Sequence, residues 1–135
     1  MKNFCKKKGK KLYLSNNFKL ALKLQLDGVY LPSFNKSTRY NCFKFKKNFD
    51  VIGSAHNVMD LNIKIRQQVK IIFIAPVFKK KINKLGIYGF LKLRKFTNKK
   101  LVVLGGVTEE KMNMVNLLKA EGFAAIDYFQ KKRPL

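Results

Sequence analysis

The stretch Ile71-Ile72-Phe73-Ile74-Ala75 is an uninterrupted apolar run between Lys70 and Pro76. A run without polar alternation is typical of a strand that is covered on both faces, as in a parallel sheet. Five other short apolar runs repeat this pattern, at residues 12–14, 28–31, 51–53, 101–104 and 123–126. The sequence therefore predicts six buried strands.

Segments of helical character lie between most of these runs. Residues 18–26, 58–65 and 88–96 each carry apolar side chains among lysines or other polar residues. The clearest helix follows Thr108, a good N-cap, and we expect Gly122 to end it. Residues 35–48 are polar and basic, and they are predicted to hold a short helix or a mobile loop. Strands that alternate with helices predict an α/β fold built from βα units around a parallel sheet.

Length and composition limit the architecture. The chain has 135 residues, 47% of them hydrophobic, so we expect a single domain over residues 1–135 with an apolar core. No apolar run reaches the roughly 18 residues that span a bilayer, and no secretory signal follows the basic start. Cys5 and Cys42 form neither a disulfide framework nor a zinc spacing. These features predict a cytoplasmic protein without a membrane partner.

The net charge is strongly positive, because 30 Lys and Arg outnumber 7 Asp and Glu to give +23. Such a surface gains free energy on nucleic acid by releasing counterions. However, 26 of the 30 basic residues are Lys and they are spread along the chain, whereas base readout favours Arg. The composition therefore predicts a solvated surface with weak, salt-sensitive binding to polyanions.

Six short segments occur in a fixed order along the chain. They are Leu26-Asp27-Gly28-Val29-Tyr30-Leu31, Ile52-Gly53-Ser54-Ala55-His56-Asn57, Ala75-Pro76-Val77-Phe78, Leu85-Gly86, Val103-Leu104-Gly105-Gly106-Val107 and Gly122-Phe123-Ala124-Ala125-Ile126. Their order and spacing resemble the thiamine phosphate synthase/TenI family over residues 12–129. The resemblance implies a (β/α)8 barrel that couples an aminopyrimidine diphosphate to a thiazole phosphate. In the TenI branch it implies aromatisation of the thiazole.

The resemblance begins in the third strand of the family, at residues 12–14. Eight βα units need about 200 residues or more, so we expect a partial TIM barrel of about six units that is N-terminally incomplete relative to the family. Open parallel edges are a liability. Three alternatives remain: a missing N-terminal part, self-association with a second copy through the open edges, or an open six-stranded sheet.

The resemblance also implies a magnesium–diphosphate site, which the family builds from an Asn-Asp pair after the third strand and an Asp after the fourth. Alignment back from Asp27 puts Ser15 and Asn16 at the pair and Asn35 at the later Asp. Both expected carboxylates are therefore amides, whereas Mg²⁺ normally takes one or two carboxylates. We expect no metal site here, and Mg²⁺ as a cofactor only if the family activity is retained.

The resemblance implies phosphate contacts at further strand ends. Ser54 matches a family serine that hydrogen-bonds the diphosphate. The family's Thr-x-Thr-Lys loop after the sixth strand is replaced by a shorter, lysine-rich loop in which Lys79 and Lys81 are candidate point-charge contacts. Asp127 stands where the family has the serine that holds the thiazole phosphate, and a carboxylate there would repel it.

Two further features point to the same end of the barrel. Gly105 and Gly106 directly follow a strand, where glycines allow backbone N–H groups to approach a phosphate. His56 is the single histidine of the chain and lies at a predicted strand end. It is a weak catalytic candidate, and a structural role or a hydrogen bond to phosphate are the alternatives.

Together these observations predict a thiamine phosphate synthase/TenI-like protein that binds a phosphorylated small molecule, either a thiazole or a pyrimidine phosphate. Whether it is an active transferase stays open, because both expected metal-site Asp residues are Asn. One alternative is a non-catalytic relative that acts as a binding or regulatory module in thiamine biosynthesis. The other is a basic polyanion-binding protein that uses the family fold only as a scaffold.

Overall fold

The protein forms one six-stranded parallel sheet that curls into a half-barrel. The computed structural model describes residues 1–39, 41–78 and 85–131. The strands follow one another in space in the order of the chain: β1 (Tyr13–Ser15), β2 (Gly28–Leu31), β3 (Asp50–Ala55), β4 (Ile71–Ile74), β5 (Lys100–Leu104) and β6 (Gly122–Ala124). The predicted α/β fold with a partial barrel is therefore confirmed, and each strand lies within three residues of its predicted position.

Helices alternate with the strands. They are α1 (Lys2–Lys7), α2 (Phe18–Lys23), α3 (Val58–Arg66), α4 (Gly86–Arg94), α5 (Met112–Leu117) and α6 (Asp127–Gln130), with 3₁₀ turns at Asn41–Phe45 and Glu109–Lys111. The short helix among the two alternatives for residues 35–48 is thus present as a 3₁₀ turn. In the part of the chain that the structure describes, no helix has the length and apolar character needed to cross a membrane.

The two faces of the sheet bury different side chains, because neighbouring residues of a strand point to opposite faces. The face covered by the helices carries the main core, which includes Val29, Ala55, Ile72, Ile74 and Val103 together with Ala21, Leu61, Phe90 and Leu118 from the connecting segments. The concave face carries Tyr30, Ile52, Ser54 and Phe73. The rings of Tyr30 and Phe73 meet edge to face across β3, with their centroids 5.8 Å apart.

Three helices end in the left-handed conformation without a glycine. Gln25, Gln68 and Lys119 follow α2, α3 and α5 with φ of 50°, 54° and 49°. Lys119, and not Gly122 as expected, is therefore the residue that turns the chain after α5, and Gly122 begins β6. Thr108 precedes the 3₁₀ turn in an extended conformation, but its side chain makes no capping hydrogen bond, and its buried Oγ1 has no partner among the described residues.

A charged cluster closes the N-terminal ends of β1 and β3. Lys11 and Lys70 contact the two carboxylate oxygens of Asp50 at 2.7 and 2.8 Å, and the Tyr13 hydroxyl donates to the same carboxylate at 3.1 Å. Burial raises the pKa of Asp50, but the hydrogen bonds from Lys11 and Lys70 outweigh this effect and lower it below its usual value. Burial and the neighbouring Asp50 raise the pKa of Tyr13 to about 12. Asp50 at the start of β3 is thus linked to β1 and to the residue before β4, at the end of the sheet opposite the predicted site residues.

Candidate functional site

The candidate site lies at the C-terminal ends of the strands, where ligand sites of (β/α)8 barrels are found. Ser15 is the exposed last residue of β1 and Asn16 follows it; Asn35 lies in the loop after β2. Ser54 lies within β3, and His56 follows that strand. The glycine pair follows β5. The fold therefore brings the predicted residues that it describes to one end of the sheet.

Asn16 and Asn35 meet directly although 19 residues separate them. The Asn35 Nδ2 donates to the Asn16 Oδ1 at 2.6 Å. Asn16 holds this position in the left-handed region, with φ of 55°, while its backbone N–H donates to the Tyr30 carbonyl at 2.8 Å. Asn tolerates this conformation better than most residues. The two amides thus form one polar pair between the ends of β1 and β2.

The orientation of the Asn35 amide is fixed by its other neighbours. Its Oδ1 accepts hydrogen bonds from the Ser37 backbone N–H at 2.9 Å and from the Gln67 Nε2 at 3.2 Å. A backbone N–H is always a donor, so the atom that accepts from it must be the amide oxygen. The Nδ2 group therefore faces Asn16 as a donor, and the amide cannot turn around without losing two hydrogen bonds.

A buried lysine anchors the loop that carries Asn35. The Lys64 Nζ donates to the carbonyls of Pro32 and Asn35 and to the Gln67 Oε1, at 2.8, 2.8 and 2.9 Å. Lys64 is fully buried and Gln67 nearly so. The stem of Lys64 passes over Gly53, where an added Cβ would lie 3.0 Å from the lysine Cδ. The hydrogen bonds of Lys64 therefore fix the β2–β3 loop against helix α3.

The Lys64 ammonium keeps a positive charge close to the amide pair. Burial lowers the pKa of Lys64 to about 8, while the Asp60 carboxylate acts in the opposite direction. At neutral pH the group is still mainly protonated. Sequence reasoning missed Lys64, although its spacing of three residues from the buried Leu61 already placed it on the inner face of α3.

Magnesium, which the family resemblance implies, does not fit the residues present. Both lone pairs of the Asn35 Oδ1 accept hydrogen bonds, and the Asn16 Oδ1 already accepts from Asn35. Neither position supplies a carboxylate, and the Lys64 ammonium is 2.8 Å from the Asn35 carbonyl oxygen. The described residues also contain no group of three or more His, Cys, Asp or Glu arranged to hold a metal. A divalent cation would meet a single remaining amide lone pair at Asn16, no carboxylate at either position and a like charge.

The Gly105–Gly106 pair forms a second part of the candidate site. Both residues are left-handed, with φ of 96° and 73°. The Gly105 carbonyl accepts from the Phe78 N–H at 2.9 Å, and a Cβ on Gly105 would lie 3.1 Å from the Pro76 Cα. This close approach explains why a glycine follows β5, since a side chain would collide with the segment that follows β4.

A lysine from the neighbouring 3₁₀ turn lies beside this pair. The Lys111 Nζ donates to the Gly106 carbonyl at 3.2 Å and lies 5.5 Å from the centroid of the Phe78 ring. At the glycine turn no Cβ blocks the approach of a ligand to the backbone, and an ammonium group lies beside it. Lys111 was not among the sequence candidates. Its position only six residues after Gly105 was the one indication in the sequence that it could lie near the glycine pair.

His56 links two strand ends in this structure, and Ser54 is buried within β3. The His56 Nδ1 lies 2.6 Å from the Ala75 carbonyl oxygen, so Nδ1 carries the proton in this contact, and its backbone N–H donates to Asp60 at 3.1 Å. This links the ends of β3 and β4, which agrees with the structural alternative for this residue. Ser54 is only 4% exposed. Its contact with a phosphate stays a prediction.

At three of the predicted positions the structure describes no side chain. Lys79 and Lys81 lie outside the described residues. Asp127 begins α6 at the end of β6, but its side chain is also outside the description. Their roles toward a phosphate stay predictions.

The fold defines the class of this chain as a partial (β/α)8 barrel. Among the solved structures that share this fold, two are thiamine phosphate pyrophosphorylases. The enzyme from Pyrococcus furiosus is 16% identical with a TM-score of 0.79, over 93% of this chain and 62% of that one. The enzyme from Bacteroides thetaiotaomicron is 18% identical with a TM-score of 0.59, over 90% and 58%. The chain thus spans about three fifths of the length of either structure.

Sequence comparison identifies the family. The profile described as thiamine monophosphate synthase (TMP-TENI) matches residues 1–129. A protein of Aquifex aeolicus (strain VF5) named "Putative thiamine-phosphate synthase 2" is 31% identical over 130 residues, which cover 91% of this chain and 68% of that protein. This chain belongs to the thiamine monophosphate synthase/TenI family.

Proposed function

We propose that this chain binds a phosphorylated thiamine precursor at the C-terminal ends of its strands and does not couple two precursors at the rate of a complete synthase. The observation that carries the binding is the left-handed Gly105–Gly106 turn with Lys111 beside it. Glycines permit a phosphate to approach the backbone, and an ammonium group supplies a charge-assisted contact. A thiazole phosphate is the ligand that the family resemblance implies for this turn.

The reduced coupling rate follows from the amide pair. In the coupling reaction of the family a diphosphate leaves, and its developing charge must be stabilised. Asn16 and Asn35 supply neutral amides where the resemblance implies Asp, and the lost stabilisation is about 2–4 kcal/mol for each group by analogy with an oxyanion donor. Two such losses lower the rate by roughly four orders of magnitude.

The binding half of the proposal is tested by calorimetric titration of the purified chain with thiazole phosphate. We expect saturable binding that Gly106→Asp weakens at least ~10-fold, because a carboxylate then faces the phosphate and repels it. Gly9→Asp is a matched control, since it makes the same change at another left-handed glycine, at the end of α1. Equal weakening by both substitutions would contradict a role for the Gly105–Gly106 turn.

The catalytic half is tested by an assay for thiamine phosphate formation from the aminopyrimidine diphosphate and the thiazole phosphate. We expect binding without measurable turnover. Turnover at an ordinary enzymatic rate of about 1 s⁻¹ or more would contradict the proposal and identify the chain as an active synthase.

A further inference from the structure

The Asn16–Asn35 pair offers hydrogen-bond donors to a ligand, as an anion-binding site does. The Asn35 Oδ1 is occupied by Ser37 and Gln67, and the Asn16 Oδ1 is occupied by Asn35. The Asn35 Oδ1 is therefore fully occupied, whereas the Asn16 Oδ1 keeps one lone pair. The donors left for a ligand are amide N–H groups, above all the Nδ2 of the exposed Asn16. These groups donate and do not accept.

The charge around the pair also favours an anion over a cation. The buried Lys64 ammonium contacts three neutral oxygens, from Pro32, Asn35 and Gln67. None of these hydrogen-bond partners carries a negative charge, so the positive potential of the ammonium, reduced by the nearby Asp60 carboxylate, extends to the adjacent amide pair. A buried charge is screened less than one in water, so a phosphate at the pair is attracted and a metal cation is repelled.

We propose that the Asn16–Asn35 pair binds a phosphate or diphosphate group directly through amide N–H groups, with no metal ion between the protein and the anion. The inference deepens the proposed function and rests on it, because both place phosphate groups at the same end of the sheet. It reverses the arrangement that the family resemblance implies, in which carboxylates hold a cation and the cation holds the diphosphate.

The first test needs no variant. The full chain is titrated with inorganic pyrophosphate at about 0.15 M salt, once with EDTA and once with excess Mg²⁺. We expect one-to-one binding in EDTA and weaker apparent binding with Mg²⁺, because the free cation competes for the pyrophosphate. Binding that requires Mg²⁺ would overturn the inference, as would binding without a defined stoichiometry, which is the behaviour of a diffuse lysine surface.

The second test separates the amide donors from long-range charge. Asn35→Asp keeps an acceptor for Ser37 and Gln67 but replaces the donor that faces Asn16, so we expect metal-free pyrophosphate binding to weaken at least ~10-fold. Asn17→Asp adds the same charge next to the pair and keeps the cap that its Oδ1 forms with the Leu20 N–H at 2.9 Å. For Asn17→Asp we expect the metal-free pyrophosphate affinity to change less than ~3-fold.

Thermal melting checks that both variants are folded. Equal weakening of pyrophosphate binding in Asn35→Asp and Asn17→Asp would overturn the inference. A parallel titration with thiazole phosphate distinguishes the two proposals. Thiazole phosphate binding with pyrophosphate bound only through Mg²⁺ would overturn the metal-free site alone. Pyrophosphate binding in EDTA without thiazole phosphate binding would support the site and contradict the proposed function.

Discussion

Replacement of Lys64 by Met removes a buried ammonium group and keeps most of the side-chain stem. Burial lowers the pKa of Lys64 to about 8, whereas an exposed lysine titrates near 10.5. Between these two pH values the unfolded chain holds a proton at this position that the folded chain has released. The free energy of unfolding of the wild type must therefore rise with pH in this window.

The size of the rise follows from the two pKa values. A fall from 10.5 to about 8 is equivalent to roughly 3 kcal/mol, and about 2.5 kcal/mol of it is gained between pH 7 and pH 10. The Lys64→Met variant has no proton to release, so the wild type should gain this amount relative to it. Tyr13, whose pKa is raised to about 12, works in the opposite direction only above pH 10, where the unfolded chain loses that proton first.

The assay is urea denaturation followed by circular dichroism between pH 7 and pH 10. Loss of net positive charge with rising pH stabilises every variant of this basic chain, so the informative quantity is the difference between two proteins. Lys92→Met is the matched control, because Lys92 is exposed on α4 and its removal should leave the curve parallel to that of the wild type. Parallel curves for the wild type and Lys64→Met would refute the reasoning.

Three further outcomes test other parts of the structure. Gln68→Gly should raise the free energy of unfolding by ~0.5–1 kcal/mol in urea denaturation, because glycine accepts a φ of 54° without strain, whereas Gln68→Ala should not. The outer edges of β1 and β6 are unpaired within the described residues, so light scattering should show self-association; a sharply melting monomer would contradict it. Binding to DNA should fall steeply with salt and show no sequence preference, and a preference that survives physiological salt would favour a nucleic-acid function.

Most of the sheet could be predicted from the sequence, because a strand covered on both faces leaves a direct signal. The run that contains Ile72 and Ile74 becomes β4, and the run that contains Val103 becomes β5. Helix α1 was not predicted, since residues 2–7 carry three lysines and have no apolar stripe. Helix α1 is held by local backbone hydrogen bonds and has no buried residues, so hydropathy does not indicate it.

The site was predictable only in outline. The resemblance to a family placed Asn16 and Asn35 at related positions, and the structure shows them in contact. The spacing of Lys64 from Leu61 placed it on the inner face of α3, but nothing in the sequence indicated that Lys64 anchors the loop of Asn35 or that Gln67 orients its amide. The polarity of the amide pair depends on those distant partners, so only three-dimensional contacts reveal it.

The left-handed residues without a glycine have a consequence for how this protein can change. Gln25, Asn48, Gln68 and Lys119 precede strands β2, β3, β4 and β6, so they lie at the N-terminal ends of the strands, away from the candidate site. At Gln25, Gln68 and Lys119 a single substitution to glycine relieves backbone strain of about 1 kcal/mol, whereas Asn48 tolerates this conformation as it is. The fold thus holds a reserve of stability that mutation can reach without altering the ligand end of the sheet. Loss of stability from a new binding function at one end can be offset by changes at the other.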